Sequence, residues 1–194
     1  MTIKLHIGCG RTILKGWVNL DIMPLEGVDI IADLNQCKTT PLPFEENSVD
    51  EFFASHVLEH MERPLDVMEE LHRIAKPNAK MLCEVPYGSS DDAFEDPTHS
   101  QQFFLHSFDY FSQPSYWRAD YGYKGDWLIE KVSLVVDANT YTGKSAEDIL
   151  HAVHTYRNVV KEMIVQLKAI KPIRGAKREL LTPFPIEIQL TKTQ

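Results

Sequence analysis

Cysteine is scarce: three in 194 residues, at Cys9, Cys37 and Cys83, with no Cys-x-x-Cys pair. An odd, unpaired set excludes a disulfide framework and makes a thiolate zinc site unexpected; it reads as reduced thiols. Long apolar runs are missing as well, since nothing approaches the roughly 18 residues that a membrane span needs. The chain opens directly into a strand-like segment with no charged leader ahead of an apolar core. A soluble, cytoplasmic protein is expected. Basic residues are in deficit, 20 against 28 acidic, for a net charge of −8. Such a surface repels phosphate backbones, so nucleic acid is not favoured as a partner. Repeats and low-complexity segments are absent, and the length suits one α/β domain spanning 1–194.

What is present is most informative at the start. Residues 5–21, LHIGCGRTILKGWVNLD, place Gly8 and Gly10 directly after a short apolar run and Asp21 at the end of a second one. Glycines there let the backbone turn sharply and approach a ligand, while an acid at the next strand tip can accept both hydroxyl protons of a ribose. In a dinucleotide site the acid falls about 20 positions on, because a full helix receives the pyrophosphate. Here only ten residues separate Gly10 from Asp21. The first helix must be very short or replaced by a loop, and a cofactor with a ribose but no diphosphate fits better.

Further along, 28–32 reads as a third strand ending at Asp33, and the Pro-rich 39–47 excludes helix interior and central strand. A strand is expected over 49–55. Helical periodicity follows over 57–75, with Pro64 marking a break or a fresh start, and then a strand over 80–85. This rhythm calls for a doubly wound, mostly parallel sheet, whose ligands bind at the carboxyl ends of the strands. Gly8, Asp21, Asp33 and Ser55 converge there.

The ordered series LHIGCG (5–10), VNLDI (18–22), ADLN (32–35), LPFEENSVDEFFASHVLEHM (42–61) and LHRIAKPNAKMLCEVP (71–86) resembles the class I S-adenosylmethionine-dependent methyltransferases, closest to a small bacterial type with a shortened first helix. The likeness covers about the first half of the chain. It implies the α/β Rossmann-like methyltransferase fold and S-adenosyl-L-methionine as cofactor. Gly8 and Gly10 would lie against the methionine part, Asp21 would hold the ribose, and Asp33 with Leu34 would bracket the adenine. Ser55 and His56 would face the sulfonium, and His6, Cys9 and Ile22 complete the expected cofactor shell. Two departures are plain: His6 stands where the family commonly carries an acid, and Thr12 where it carries a third glycine.

Histidines decide whether a base is available. In SHVLEH, His56 and His60 stand four apart with Glu59 between them, but not in the His-Glu-x-x-His order, and spacing assigns no third ligand. No metal is expected, and His60 reads as a packing residue. His56 either lines the pocket or caps the helix. Asp96-Pro97-Thr98-His99, with Phe103, Phe104, His106 and Phe108 beyond, is a turn followed by packing aromatics; the sharper reading is a loop closing over the cofactor. His99 and His56 are the candidate catalytic residues, and Tyr87 could orient an acceptor.

The second half, 91–194, is expected to form the acceptor side, against a cofactor-binding half over 1–90. Residues 127–137 and 184–191 read as strands, which in the family would form an antiparallel pair at the C-terminal edge. Between them a helical insertion is expected over 145–171, started by a capping box at Ser145 and Asp148. Ile149, Val153, Tyr156, Val160, Met163, Leu167 and Ile170 trace its seam. Its ordinary role is packing on its own domain, and a homodimer contact or a cap over the acceptor pocket is the alternative. Lys168, Lys171, Arg174, Lys177 and Arg178 form a basic stretch, a solvated face or a dock for an acidic acceptor or an anionic membrane surface. The resulting reading is a methyltransferase acting on a small-molecule or glycan-precursor acceptor. Its rival is a non-catalytic S-adenosylmethionine-binding module. A short-chain dehydrogenase is disfavoured because the chain has no Tyr-x-x-x-Lys pair.

Overall fold

The computed structural model describes residues 2–192. One sheet joins both halves of the chain. Its strands are β1 (Lys4–Ile7), β2 (Val18–Asp21), β3 (Ile30–Ile31), β4 (Val49–Ser55), β5 (Ala75–Pro86), β6 (Trp127–Asp137), β7 (Val160–Ala169) and β8 (Ile186–Thr191), in the order β3-β2-β1-β4-β5-β7-β6-β8. The first five run parallel. Only β7 is reversed, paired antiparallel with β5 on one side and β6 on the other. Order reverses between β1 and β4, the switch point where α/β sheets open a crevice for ligands.

No helix separates β1 from β2, as the short spacing requires. The crossover from β4 to β5 carries a short turn at Leu58–His60 and then α1 (Pro64–Ile74). Pro64 is a fresh start: it sits in the first turn, where its missing N–H costs nothing. Val67, Met68, Leu71 and Ile74 recur at three and four positions, and all are buried. Trp127, fully buried, donates its indole N–H to Met68 O at 3.0 Å and meets Phe52 edge-on at 5.8 Å. The start of β6 is thereby locked to α1 and β4. Single helical turns α2 (Asp92–Glu95) and α3 (Ala138–Tyr141) follow β5 and β6.

Two expectations for the second half are corrected. The helix at the insertion, α4 (Ala146–Thr155), is shorter than 145–171: Ser145 caps it by accepting from Asp148 N at 3.1 Å, but it ends before Tyr156. Residues 160–169 are strand, because Met163, Val165, Leu167 and Ala169 alternate inward between β5 and β6 and all are fully buried. Val160, Met163 and Leu167 match helical steps by coincidence with that alternation. Ile149 and Val153 of α4 belong to the chain's own core. The antiparallel pair near the C-terminal edge is present, but it is β6 with β7, whereas β8 runs parallel to β6. Among the described residues no helix is long and apolar enough to cross a membrane.

Candidate functional site

Four strand ends enclose a cavity of about 290 Å³ lined by Gly8, Leu20, Asp21, Ile22, Ala32 to Asn35, His56, Val57, His60 and Met61. Gly8 has φ of 61°, and a Cβ there would stand 2.4 Å from Val57 Cγ2. Only glycine lets this turn close against the chain leaving β4. Asp21 holds the opposite wall. Its Oδ2 accepts from Gly10 N at 2.7 Å and its Oδ1 from Met23 N at 2.9 Å, and each oxygen keeps a further lone pair for a ligand. Asp33 accepts from Asn35 N at 2.9 Å, starting the turn Leu34–Gln36. Asn35 in turn accepts from Glu62 N at 3.0 Å, which ties the loop after β3 to the loop after β4.

His56 has a left-handed φ of 55°, uncommon outside glycine and asparagine. Its Nε2 lies 2.9 Å from Glu162 Oε1, and its Nδ1 lies 3.2 Å from Glu59 Oε1. The hydrogen bond to Glu162 first, and the nearby Glu59 carboxylate second, push its pKa up to about 10. Two carboxylates against the two ring nitrogens favour the protonated, donating form, which opposes the expected role of His56 as a base.

Of the expected cofactor shell, Gly8, Asp21, Ile22, Asp33, Leu34 and His56 line the cavity, and Gly10 acts through its N–H on Asp21. His6, Cys9 and Ser55 do not line it. His6 is buried against Phe53, its register partner on β4, and lies 3.2 Å from Asn19 Oδ1. Cys9 is buried too, and desolvation, then Asp21, raises its thiol pKa. Sequence reasoning missed Leu20, Ala32, Asn35, Val57 and Met61, and gave His60 a packing role. The three-residue step from Val57 to His60 was the available signal, since one tight turn carries both to the same wall.

His99 is not at the cavity. Its ring packs edge-on to His60 with centroids 4.7 Å apart, so it lies behind that wall. With Glu59 and His60 it forms a three-residue cluster whose ligand-type atoms lie within 4.8 Å of one another; His56, the other histidine of SHVLEH, is not a member. Phe103 and Phe108 are buried, while Phe104 faces outward at the edge of Tyr87.

The basic stretch is largely occupied. Lys168 pairs with Glu130 at 3.3 Å, Lys171 Nζ donates to Asn47 Oδ1 at 2.7 Å, and Arg174 grips the fully buried Asp126. A larger concavity of about 430 Å³ near Lys38, Glu69, Glu70 and Arg73 holds none of the strand-tip residues. Its charges pair with one another, as in Lys38 to Glu69 at 3.3 Å and Arg73 to Glu70 at 2.7 Å.

Residues 5–83 match the family model described as a methyltransferase domain, a span that includes every residue lining the strand-tip cavity. Solved structures agree in fold. A SAM-dependent methyltransferase from Archaeoglobus fulgidus superposes with TM-score 0.57 at 16% identity, covering 87% of this chain and 86% of its own. One from Mesorhizobium loti gives TM-score 0.54 at 11% identity, covering 86% and 90%. Residues 5–83 carry a methyltransferase-domain match, set in a sheet with the fold of S-adenosylmethionine-dependent methyltransferases. A methyltransferase from Thermotoga maritima, described as a possible histamine N-methyltransferase, matches with TM-score 0.52 at 11% identity over 87% and 82%. No curated protein matches the chain.

The methyltransferase takes S-adenosylmethionine as its cofactor. The cavity fits this molecule: the Gly8 turn leaves backbone bare at one wall, and the Asp21 carboxylate retains acceptor capacity beside it.

Proposed function

We propose that this methyltransferase acts on a small molecule or glycan precursor seated beyond the tip of β5, beside the cofactor cavity. One observation carries the reading. Phe94 and Phe104, 59% and 47% exposed, join Gly88, Ser89 and Arg157 around an open hollow of about 500 Å³. Large aromatic faces left in water around a ligand-sized hollow favour a partner with an apolar or sugar face. Arg157 lies 5.8 Å over the Phe94 ring and 2.8 Å from Asp91, with its side chain 65% exposed, so its fork has donors left for a carboxylate or phosphate.

The chain that lines the hollow is connected to the cofactor cavity through β5 and β7. Tyr87 N donates to Lys161 O at 3.0 Å, and Pro86 stands in register with Glu162, the partner of His56 at the cavity. S-adenosylmethionine supplies a methyl group already activated by a sulfonium charge. The chain's task is to line up the acceptor behind that group and keep water out, and such positioning supplies roughly 7–11 kcal/mol of a barrier. In this reading Asp21 accepts from the ribose hydroxyls, Asp33, Leu34 and Asn35 flank the adenine, and the glycine turn receives the methionine part. His56, whose two ring nitrogens face Glu162 and Glu59, lines the cavity wall beside that part.

The test is an acceptor panel of sugar phosphates, nucleotide sugars, small amines and an oligonucleotide, incubated with cofactor and read by mass spectrometry for a gain of one methylene unit. Arg157→Ala and Phe104→Ala should each lower turnover of the accepted class and leave calorimetric affinity for S-adenosylmethionine unchanged. Methylation of the oligonucleotide alone would overturn the reading.

A further inference from the structure

Two buried groups behind the cavity wall have polar atoms without partners. Glu59 is fully buried on the turn after β4, and neither carboxylate oxygen has an aligned hydrogen-bond donor; the His56 contact at 3.2 Å is an ion-pair approach only. The His99 side chain is 9% exposed, and its Nδ1 is buried with no partner. Buried carboxylates and imidazoles are normally hydrogen-bonded, paired or bound to metal. Both groups meet His60, and one ligand-type atom from each of the three lies within 4.8 Å of the others.

The remaining contacts prepare His60 as a ligand. Thr98 Oγ1 donates its single proton to Asp96 Oδ1 at 2.6 Å, so toward His60 Nδ1, 2.9 Å away, it can only accept. Nδ1 therefore carries the proton, and Nε2 of the neutral ring keeps its lone pair. Metal-binding histidines are held in this way, with the second ring nitrogen donating to an outer oxygen. The loop that carries His99 is fastened to the same turn: Ser100 N and Gln101 N donate to Glu59 O at 2.8 and 3.0 Å, and Ser100 Oγ donates to Met61 O at 2.9 Å.

We infer that Glu59, His60 and His99 hold one divalent first-row transition-metal ion, Zn²⁺ foremost, against the wall of the cofactor cavity. Two imidazoles and one carboxylate are a donor set for Zn²⁺, Fe²⁺, Mn²⁺ or Co²⁺. Ligand atoms bound at about 2.0–2.2 Å stand roughly 3–4 Å apart, so modest side-chain rotation closes the cluster. Three protein ligands leave a coordination position open, the pattern of reactive rather than purely structural sites. Because His60 also lines the cavity, that ion lies next to the cofactor.

The experiment uses the full chain without a histidine tag, stripped with chelator and titrated with Zn²⁺ or Co²⁺. Plasma emission should give one ion per chain, and Co²⁺ should develop visible d–d bands. His99→Ala and Glu59→Gln should each abolish those bands, and Thr98→Val should weaken binding by about tenfold or more through the lost outer-shell bond. His151→Ala, on α4, should bind as wild type. Circular dichroism confirms folding, and should Glu59→Gln fail to fold, His99→Ala and Thr98→Val still decide. No ion above background, or wild-type affinity in His99→Ala, overturns the inference and leaves the cluster to a trapped water.

Discussion

His56 Nε2 and Glu162 Oε1 meet at 2.9 Å, joining the end of β4 to β7 across the tip of β5. The first strand set builds the cofactor cavity and β7 belongs to the second half, so this pair couples the two. Its pH dependence has a definite sign. The folded-state pKa, about 10, lies above the ordinary 6.5, so the stabilisation is complete below 6.5 and is lost as pH rises through about 10. The melting-temperature gap between wild type and Glu162→Gln should therefore narrow steadily across that window. The ring is half exposed, and solvent screening keeps the effect small. A gap that widens with pH would show the ring to be neutral in the folded protein.

Gly8→Ala should damage the cavity more than Gly10→Ala. Both glycines have positive φ, 61° and 52°, and an L-residue there costs about 1–2 kcal/mol. Only at Gly8 does the added Cβ collide, 2.4 Å from Val57 Cγ2, whereas nothing lies within 4 Å of the corresponding position at Gly10. Calorimetric affinity for S-adenosylmethionine should fall further in Gly8→Ala, and Val57→Ala on that background should recover part of its lost melting temperature. Equal losses at both glycines would make backbone conformation, rather than the collision, the governing term.

The legible parts of this molecule are those written in short-range signals. The Gly8 turn, Asp21 at a strand end and the start at Pro64 follow from near neighbours in sequence, and the missing first helix from the ten residues between Gly10 and Asp21. β7 was misread because Val160, Met163 and Leu167 satisfy a helical step while Met163, Val165, Leu167 and Ala169 satisfy a strand step. The tie is broken by β5 and β6, which sandwich the segment and are far away in sequence. The carboxylate facing His56 was equally hidden, because Glu162 reaches it from that misread strand. His99 was noticed but misplaced: the backbone bonds from Ser100 and Gln101 to Glu59 O, which set its loop behind His60, leave no mark in residue type.

Asp21→Asn should weaken S-adenosylmethionine and S-adenosylhomocysteine equally. Both carboxylate oxygens already accept backbone protons, from Gly10 at 2.7 Å and Met23 at 2.9 Å, and an amide presents only one acceptor oxygen. One N–H is left unpaired, at a cost of about 1–3 kcal/mol, and the acceptor for the ribose is lost with it. The two ligands share that ribose and differ at sulfur. Calorimetry that found only the sulfonium form weakened would place Asp21 in a charge contact with the methyl donor instead.

Arg174→Ala should cost stability and leave ligand binding alone. Asp126 is fully buried and takes Arg174 N at 2.9 Å, Nε at 2.9 Å and Nη2 at 2.7 Å, with Gln113 N at 3.2 Å completing its partners. Removing the guanidinium strands a carboxylate in the interior, a loss of about 3–5 kcal/mol. Asp126→Asn combined with Arg174→Met removes both charges and should recover much of that loss in chemical denaturation. Lys177 and Arg178, exposed at the end of the same basic stretch, should tolerate alanine within about 0.5 kcal/mol. If Arg174→Ala kept its denaturation midpoint and lost turnover with an acidic acceptor, the stretch would be a docking surface and the buried pair a minor contributor.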